Sequence, residues 1–262
     1  MIESAMLKKE LDVASQAARA AGKILIPIFG QVNHIMKKGD IDLVTEADLQ
    51  AEEAIMEIIY SNFPQDDILS EEAGGYEKVS DRTWLVDPLD GTTNFVHGFP
   101  FFSTSIALEI EEEIVLGVVY NPYMDEYFEA VKGMGVYLNK RPIHVSKTPN
   151  LGESLLATGF PYDIHENPQG IMELFRKMVV MVQGVRRPGS ASLDLCYVAA
   201  GRLDGFWEED LKPWDTAAAT VIVKEAGGKL TTLDGRPYTP YLKSIVAANP
   251  FIHDAMIKIL NS

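Results

Sequence analysis

Four strand-like segments follow one another between Phe102 and Val145, and only short turns separate them. They cover residues 103–108, 114–120, 126–131 and 135–138, and Asn121-Pro122, Lys132-Gly133 and Asn139-Lys140 supply turns after the last three. A connection of a few residues can join antiparallel strands, but it cannot hold the crossover that parallel strands need. The first half of the chain is therefore predicted to build an antiparallel sheet.

The segments on either side of this region predict helices and a second sheet. An apolar stripe at three- and four-residue steps from Leu7 to Ile28 predicts a first helix that Gly30 ends, and a second should run from Thr45 to Tyr60. After Ser146 the pattern alternates, with strands predicted at 155–158, 203–207 and 244–248 and helices at 168–182, 191–200, 214–226 and the C-terminal end. We expect an α+β half, residues 1–145, and an α/β half, residues 146–262, packed as one layered unit.

Charge and composition narrow the function classes. The formal net charge of −15 repels nucleic acid and anionic membranes, so neither is an expected partner. The negative charge also repels a phosphorylated substrate, unless bound cations make the electrostatic potential positive at the site. No apolar run approaches the roughly 20 residues of a membrane span, and the start lacks a signal-like pattern. With a single cysteine, Cys196, these features predict a cytoplasmic protein.

The most informative stretch runs from Trp84 to Phe95. A short buried strand, residues 83–86, is predicted to deliver Asp87 and Asp90 to its end, on a turn that faces one cavity. Carboxylate oxygens are the ligands that Mg²⁺ prefers. An ordinary Asp-Pro-x-Asp-Gly turn without any metal explains the same residues equally well. Phosphatases that use an aspartyl-phosphate nucleophile have the motif Asp-x-Asp-Gly-Thr. The Asp-x-x-Asp spacing in this chain has one residue more between the two carboxylates, so that interpretation is disfavoured.

Three further acidic positions have both a structural and a chemical explanation. Glu71 follows a short apolar run that is a candidate strand, and adjacent glutamates are typical of a solvated edge. Thr45-x-x-Asp48 fits a helix capping box. Asp215 opens an Ala-rich helix, where an N-cap is the simplest interpretation. None of these positions indicates an active site by itself.

The order of these residues along the chain carries more information than any one of them. That order is Asp42-Leu43-Val44-Thr45-x-x-Asp48, Glu71-Glu72, Trp84-x-x-Asp87-Pro88-x-Asp90-Gly91-Thr92-x-Asn94-Phe95, Gly189-Ser190 and Trp214-Asp215. The set resembles the inositol monophosphatase family over nearly the whole chain. The resemblance implies a layered α-β-α-β-α sandwich, a lithium-sensitive, Mg²⁺-dependent phosphatase acting on a small phosphorylated polyol or sugar, and a homodimer.

Residue by residue, the resemblance implies a site built around two or three Mg²⁺ ions. Its metal ligands would be Glu71, Asp87, the Leu89 carbonyl, Asp90 and Asp215. Its catalytic residues would be Asp48, Thr92 and Glu71, with Thr92 oriented by Asp48 to position and deprotonate the attacking water. Its substrate contacts would be Asp90, Gly91, Thr92, Gly189, Ser190, Ala191 and Glu208. Lys37 and Asp42 would support the loop before the second helix.

The substrate remains open at this point. Glu208 favours a neutral polyol such as inositol, since a second phosphate would prefer a cation there. Arg186 and Arg187 fit either a subunit interface or a second substrate phosphate, which keeps fructose-1,6-bisphosphatase or dual activity as the alternative. A catalytically silent binding protein is the more remote one, because every metal and water-activating position holds a competent residue.

Overall fold

The computed structural model describes residues 7–31, 35–37, 43–73, 79–161, 164–166 and 168–262. Within these ranges the chain forms seven α-helices and fourteen strands. The helices are α1 (Lys8–Ile28), α2 (Glu46–Asn62), α3 (Thr92–Val96), α4 (Gln169–Val179), α5 (Ala191–Ala199), α6 (Pro213–Glu225) and α7 (His253–Leu260). The strands are β1 (Ile35–Lys37), β2 (Leu43–Thr45), β3 (Asp67–Ser70), β4 (Arg82–Asp90), β5 (Ser103–Ile110), β6 (Glu113–Asn121), β7 (Glu126–Val131), β8 (Gly135–Leu138), β9 (Arg141–Pro142), β10 (Leu155–Thr158), β11 (Gly184–Arg186), β12 (Gly205–Glu209), β13 (Lys229–Thr231) and β14 (Ser244–Ala248).

Helices and sheets alternate in five layers. The helices α1 and α2 cover one face of a seven-stranded sheet, and α5 and α6 lie between this sheet and a five-stranded one. The outer face of the second sheet is covered by α7, against which α4 packs. The predicted α-β-α-β-α sandwich is confirmed. The proposed division at residue 145 stays a prediction.

The seven-stranded sheet runs in chain order from β3 to β9. All its pairs are antiparallel, as predicted, except that β3 lies parallel to β4 at one edge. The strand β4 is buried along seven of its nine residues, which fits its position between β3 and β5 with helices on both faces.

The five-stranded sheet has the order β11-β10-β12-β14-β13 and is mixed. Its strand β10 pairs in parallel with both β11 and β12, while β14 is antiparallel to β12 and β13. The carboxyl ends of parallel strands point to one edge of a sheet, which is where α/β proteins usually bind ligands. Residues that follow β10 and close β12 therefore face the same space.

Three apolar cores fill the spaces between layers. One lies under α1 and α2, one between the two sheets around α5 and α6, and one under α4 and α7. In the first core α1 presents a stripe of small residues, including Ala14, Ala17, Ala18 and Ala21, which lets α2 pack closely. Among the described helices, none is both long and apolar enough to cross a membrane.

Candidate active site

A cavity of about 300 Å³ lies where the two sheets end. Eleven of the twelve residues that the sequence predicted for the site line it, and the exception, Asp48, touches one of them. The eleven are Glu71, Asp87, Leu89, Asp90, Gly91, Thr92, Gly189, Ser190, Ala191, Glu208 and Asp215. Asp42 and the side chain of Lys37 lie outside the described residues.

Strand β4 delivers two of the carboxylates in a way that the sequence did not predict. The strand does not end before Asp87 but continues to Asp90, with a bulge between them. Pro88 has no N–H to donate to the ladder, so a bulge at this point costs little. The Asp87 Oδ1 atom accepts a hydrogen bond from the Leu89 N–H at 3.0 Å, which orients that carboxylate.

Three donors from the start of α5 hold the Asp90 carboxylate. Its Oδ2 atom accepts hydrogen bonds from the Ser190 hydroxyl at 2.6 Å, the Ser192 N–H at 2.8 Å and the Ser192 hydroxyl at 2.5 Å. The Ser192 hydroxyl also lies 2.8 Å from that of Ser103 on β5. Sequence reasoning missed Ser192, although the pattern Ser190-Ala191-Ser192 at a helix start was a usable signal.

Asp215 reaches the cavity from the first turn of α6. It is not the N-cap, as the structural interpretation proposed, because Lys212 occupies that position. Its Oδ2 atom accepts the Lys212 N–H at 2.7 Å, in the manner of the third residue of a capping box. The capping contact fixes the carboxylate at the cavity wall, so a structural and a chemical role are compatible.

A buried glutamate on α2 braces the turn that carries Glu71. The Oε1 atom of Glu52 accepts the N–H groups of Glu72 and Ala73 at 3.0 and 3.1 Å. The Glu71 N–H donates in turn to the carbonyl of Val86 on β4 at 3.2 Å. Sequence reasoning missed Glu52 because a glutamate at mid-helix carries no signal of a partner 20 residues away.

Thr92 connects the cavity to Asp48. Its hydroxyl lies 3.2 Å from Asp48 Oδ1 and 3.1 Å from the Leu89 carbonyl oxygen. A hydroxyl has one hydrogen, so it donates to one of these acceptors at a time. Asp48 is 1 % exposed in the first turn of α2, and the predicted contact between Asp48 and Thr92 is present.

Gly91 lets three backbone segments meet beside Thr92. It adopts a φ of +93°, and a Cβ atom there would lie 3.1 Å from both the Gly189 and the Phe101 carbonyl oxygens. The Asn94 amide closes the same contact by donating to the carbonyls of Phe101 at 2.7 Å and Pro188 at 2.8 Å. This joins the turn after β4 to the loop before α5.

The carboxylates of Glu71, Asp87, Asp90 and Asp215 form what we call the acidic end of the cavity. Burial, and then the charges of the other three, raise the pKa of Asp87 well above its ordinary value. Burial, with the charges of Asp90 and Glu71, does the same for the pKa of Asp215. Burial also raises the pKa of Asp90, opposed by its serine donors.

The donors at the acidic end fit a hard divalent cation. They are carboxylate oxygens and a backbone carbonyl, the set that Mg²⁺ prefers, and a cation would relieve the repulsion that raises these pKa values. Throughout the described ranges, no three acidic, His or Cys side chains already enclose one common point at ligand distance. The carboxylates thus share a cavity, and one oxygen each of Asp87, Asp90 and Asp215 is engaged by a neighbouring donor.

A second group of residues that line the cavity forms what we call the Glu208 end: Gly159, Arg187, Asp194 and Glu208. Burial raises the pKa of Glu208 to about 8, and the Arg187 charge opposes that rise. Burial and the charges of Glu208 and Asp90 raise the pKa of Asp194, whose Oδ1 atom has no hydrogen-bond partner. The Arg187 guanidinium lies 5.7 Å from the Phe160 ring centre.

A layered α/β fold with a cavity lined by carboxylates and a backbone carbonyl fits a phosphatase that holds hard cations. The model of the inositol monophosphatase family matches residues 6–262, and the chain belongs to that family. It is 45 % identical to an inositol-1-monophosphatase of Synechocystis over 97 % of this chain and 89 % of that one. It is 40 % identical to a fructose-1,6-bisphosphatase/inositol-1-monophosphatase of Aquifex aeolicus over 97 % of this chain and 96 % of that one.

Solved structures agree with these relatives. An inositol monophosphatase from Anabaena superposes with a TM-score of 0.89 at 42 % identity, covering 97 % of this chain and 96 % of that one. Both the predicted family and the predicted fold are therefore confirmed.

Proposed function

We propose that this protein is a Mg²⁺-dependent phosphatase that hydrolyses a small polyol or sugar phosphate monoester, with inositol monophosphate as the preferred substrate. The observation that carries the proposal is that four carboxylates, from the turn after β3, the end of β4 and the start of α6, line one cavity together with Leu89. Glu71, Asp87, Leu89, Asp90 and Asp215 would hold two or three ions. The substrate choice also draws on the names of relatives.

Phosphate-monoester hydrolysis is extremely slow without a catalyst, so a large part of the barrier has to be removed. Bound Mg²⁺ supplies positive charge that acidifies water and offsets the charge of the leaving oxygen. With its hydrogen donated to Asp48, the Thr92 oxygen accepts a hydrogen bond from the attacking water and orients it. Asp48 is the group that would take the proton, and the Gly91 and Thr92 N–H groups would grip the phosphate.

The Glu208 end would bind the part of the substrate that leaves. Glu208 accepts hydrogen bonds from polyol hydroxyls, while Gly189, Ser190 and Ala191 form the adjoining wall. Arg187 also lines the cavity, and its guanidinium is suited to a second phosphate. This observation, with the dual name of the Aquifex relative, favours fructose-1,6-bisphosphatase activity as the second candidate.

A phosphate-release assay tests the proposal. The purified chain is incubated with inositol 1-phosphate, fructose 1,6-bisphosphate, adenosine 3′,5′-bisphosphate and histidinol phosphate, with Mg²⁺ and with EDTA. We expect Mg²⁺-dependent release that is fastest with inositol 1-phosphate, together with uncompetitive inhibition by Li⁺. Release from no ester at any Mg²⁺ concentration would instead support a silent binding protein.

We further propose that the protein acts as a homodimer in the cytoplasm. Its single cysteine, Cys196, is buried and free, which agrees with a reducing compartment. Light scattering of the purified chain measures the oligomeric state, and a monomer at micromolar concentration would contradict the dimer.

A further inference from the structure

Gly159 and Glu208 are neighbours on two parallel strands. The register of β10 and β12 pairs Thr158 with Trp207, so the next residues along each chain, Gly159 and Glu208, come side by side at the cavity. Side chains at such positions point to the same face of a sheet and compete for the same space. A residue at position 159 therefore affects where the side chain at 208 can lie.

The missing side chain of Gly159 is what makes room for the Glu208 carboxyl group. A Cβ atom built on Gly159 would lie 2.0 to 2.1 Å from the three carboxyl atoms of Glu208. That is far inside van der Waals contact, so the Glu208 carboxyl has to leave its place if any side chain stands at 159. The backbone of Gly159 is not in the left-handed region, so the space and not the φ angle requires glycine here.

Acidic groups lie near the place that the Glu208 carboxyl group occupies. Glu208 helps to raise the pKa of Asp194, which is 1 % exposed, and Asp90 helps to raise the pKa of Glu208. A Glu208 carboxyl group that gives way to a side chain at 159 would therefore no longer face the substrate hydroxyl groups from the same position.

We propose that Gly159 is a specificity-determining residue, which positions Glu208 for polyol recognition by leaving empty the volume that its carboxyl group occupies. The proposal rests on the phosphatase function proposed above. Because the atoms in conflict are the far end of a flexible side chain, a substitution at 159 should move Glu208 and leave the fold intact. Neither Gly159 nor Glu208 belongs to the acidic end, so a substitution at 159 should not change the hydrolysis of an ester without hydroxyl groups.

The test compares Gly159→Ala, Glu208→Ala and the double variant with the wild type, using full-length protein. Gly170→Ala is the matched control, because a Cβ at that helical position meets no atom within 4 Å. Steady-state phosphate release is measured at saturating Mg²⁺ with inositol 1-phosphate and with phenyl phosphate, which offers no hydroxyl group. Melting temperatures of all five proteins are recorded in parallel.

For Gly159→Ala we expect KM for inositol 1-phosphate to rise roughly tenfold, with kcat for phenyl phosphate within about twofold of wild type. In the Glu208→Ala background the added methyl group should change KM by less than about twofold, since the group it displaces is gone. Equal losses on both esters, an unchanged KM, or the same tenfold change in the Glu208→Ala background would overturn the proposal.

Two other outcomes are also informative. If Gly159→Ala does not fold, restoration of folding by Glu208→Ala supports the overlap, and failure of both variants to fold contradicts it. If the wild type hydrolyses neither ester, the proposed function fails by itself. Calorimetric binding of inositol 1-phosphate to the same variants then decides whether Gly159 acts through Glu208.

Discussion

The two ends of the cavity are built in different ways. At the acidic end, Asp87 and Asp90 come from one continuous stretch, and neighbouring donors orient their carboxylates at 2.5 to 3.0 Å. At the Glu208 end, four residues come from separate segments, and the Asp194 Oδ1 atom has no partner. A preorganised end suits the chemical step, whereas an end with unsatisfied polar atoms suits the recognition of a variable substrate.

The largest effect is expected from neutralising a carboxylate at the acidic end. Asp87→Asn should lower kcat for every ester by roughly 10³-fold or more, because the site would lose one of its proposed charged metal ligands. It should also raise the melting temperature in EDTA, since Asn keeps the acceptor for the Leu89 N–H but removes a buried charge that its neighbours repel. Thermal unfolding with EDTA and with Mg²⁺ checks this, and a lower melting temperature in EDTA would contradict it.

A smaller loss of turnover is expected from changes in Asp48 and Thr92, the pair that we propose to orient the attacking water. Asp48→Asn and Thr92→Ala should each lower kcat by roughly 10²–10³-fold, with little change in the Mg²⁺ concentration needed for half-maximal activity. The double variant should be little worse than either single one, because the two residues act as a unit. Near-normal kcat in Asp48→Asn at saturating Mg²⁺ and substrate would return Asp48 to a purely helix-capping role.

Ser192 tests whether the acidic end depends on its supporting hydrogen bonds. Ser192→Ala removes the 2.5 Å contact to Asp90, and the apparent Mg²⁺ affinity should fall roughly 10–100-fold. Turnover at saturating Mg²⁺ should stay close to wild type. Ser103→Ala is the matched control, since Ser103 contacts Ser192 and is one step removed from Asp90. Equal Mg²⁺ affinities in the two variants would argue against this supporting role.

The smallest effect concerns stability at the Glu208 end. The raised pKa of Asp194 means that the folded state keeps a proton that the unfolded state releases above its ordinary pKa of 3.8, so stability falls as pH rises above that value. Asp194→Asn should therefore stabilise the protein by about 1 kcal/mol at neutral pH, with less gain near pH 4.

Asp204→Asn is the contrasting variant for this measurement. Asp204 is also buried, but its carboxylate accepts hydrogen bonds from the Ser146 hydroxyl at 2.6 Å and the Leu155 N–H at 2.7 Å. Denaturant unfolding of both variants at neutral pH compares them, and Asp204→Asn should be destabilised. A loss of stability in Asp194→Asn of the same size would show that Asp194 has partners in solution.

The difference between the two ends of the cavity also explains how much of the structure could be predicted from the sequence. The antiparallel sheet around β5–β8 was predictable because strand periodicity and turn residues are local signals. The residues of the acidic end were predictable because their order along the whole chain resembles that of the family. The short strands β1, β2, β9, β11 and β13 were not predicted, since two or three residues carry no period. The continuation of β4 to Asp90 was missed because Pro88 reads as a turn, although a bulge accommodates it.

The Glu208 end was only partly predictable. Glu208 itself entered through the family resemblance, but Gly159 and Asp194 did not, because their roles depend on strand register and on contacts between distant segments. A glycine that makes room for a neighbouring strand's side chain has no sequence signature.

The most direct test of the division between the two ends is the selectivity ratio, kcat/KM for inositol 1-phosphate over that for phenyl phosphate. We predict that Glu208→Ala lowers this ratio roughly tenfold, while Asp215→Asn lowers both rates and leaves the ratio unchanged within about twofold. A Glu208→Ala variant that loses activity equally on both esters, or an Asp215→Asn variant whose ratio changes tenfold, would contradict the account.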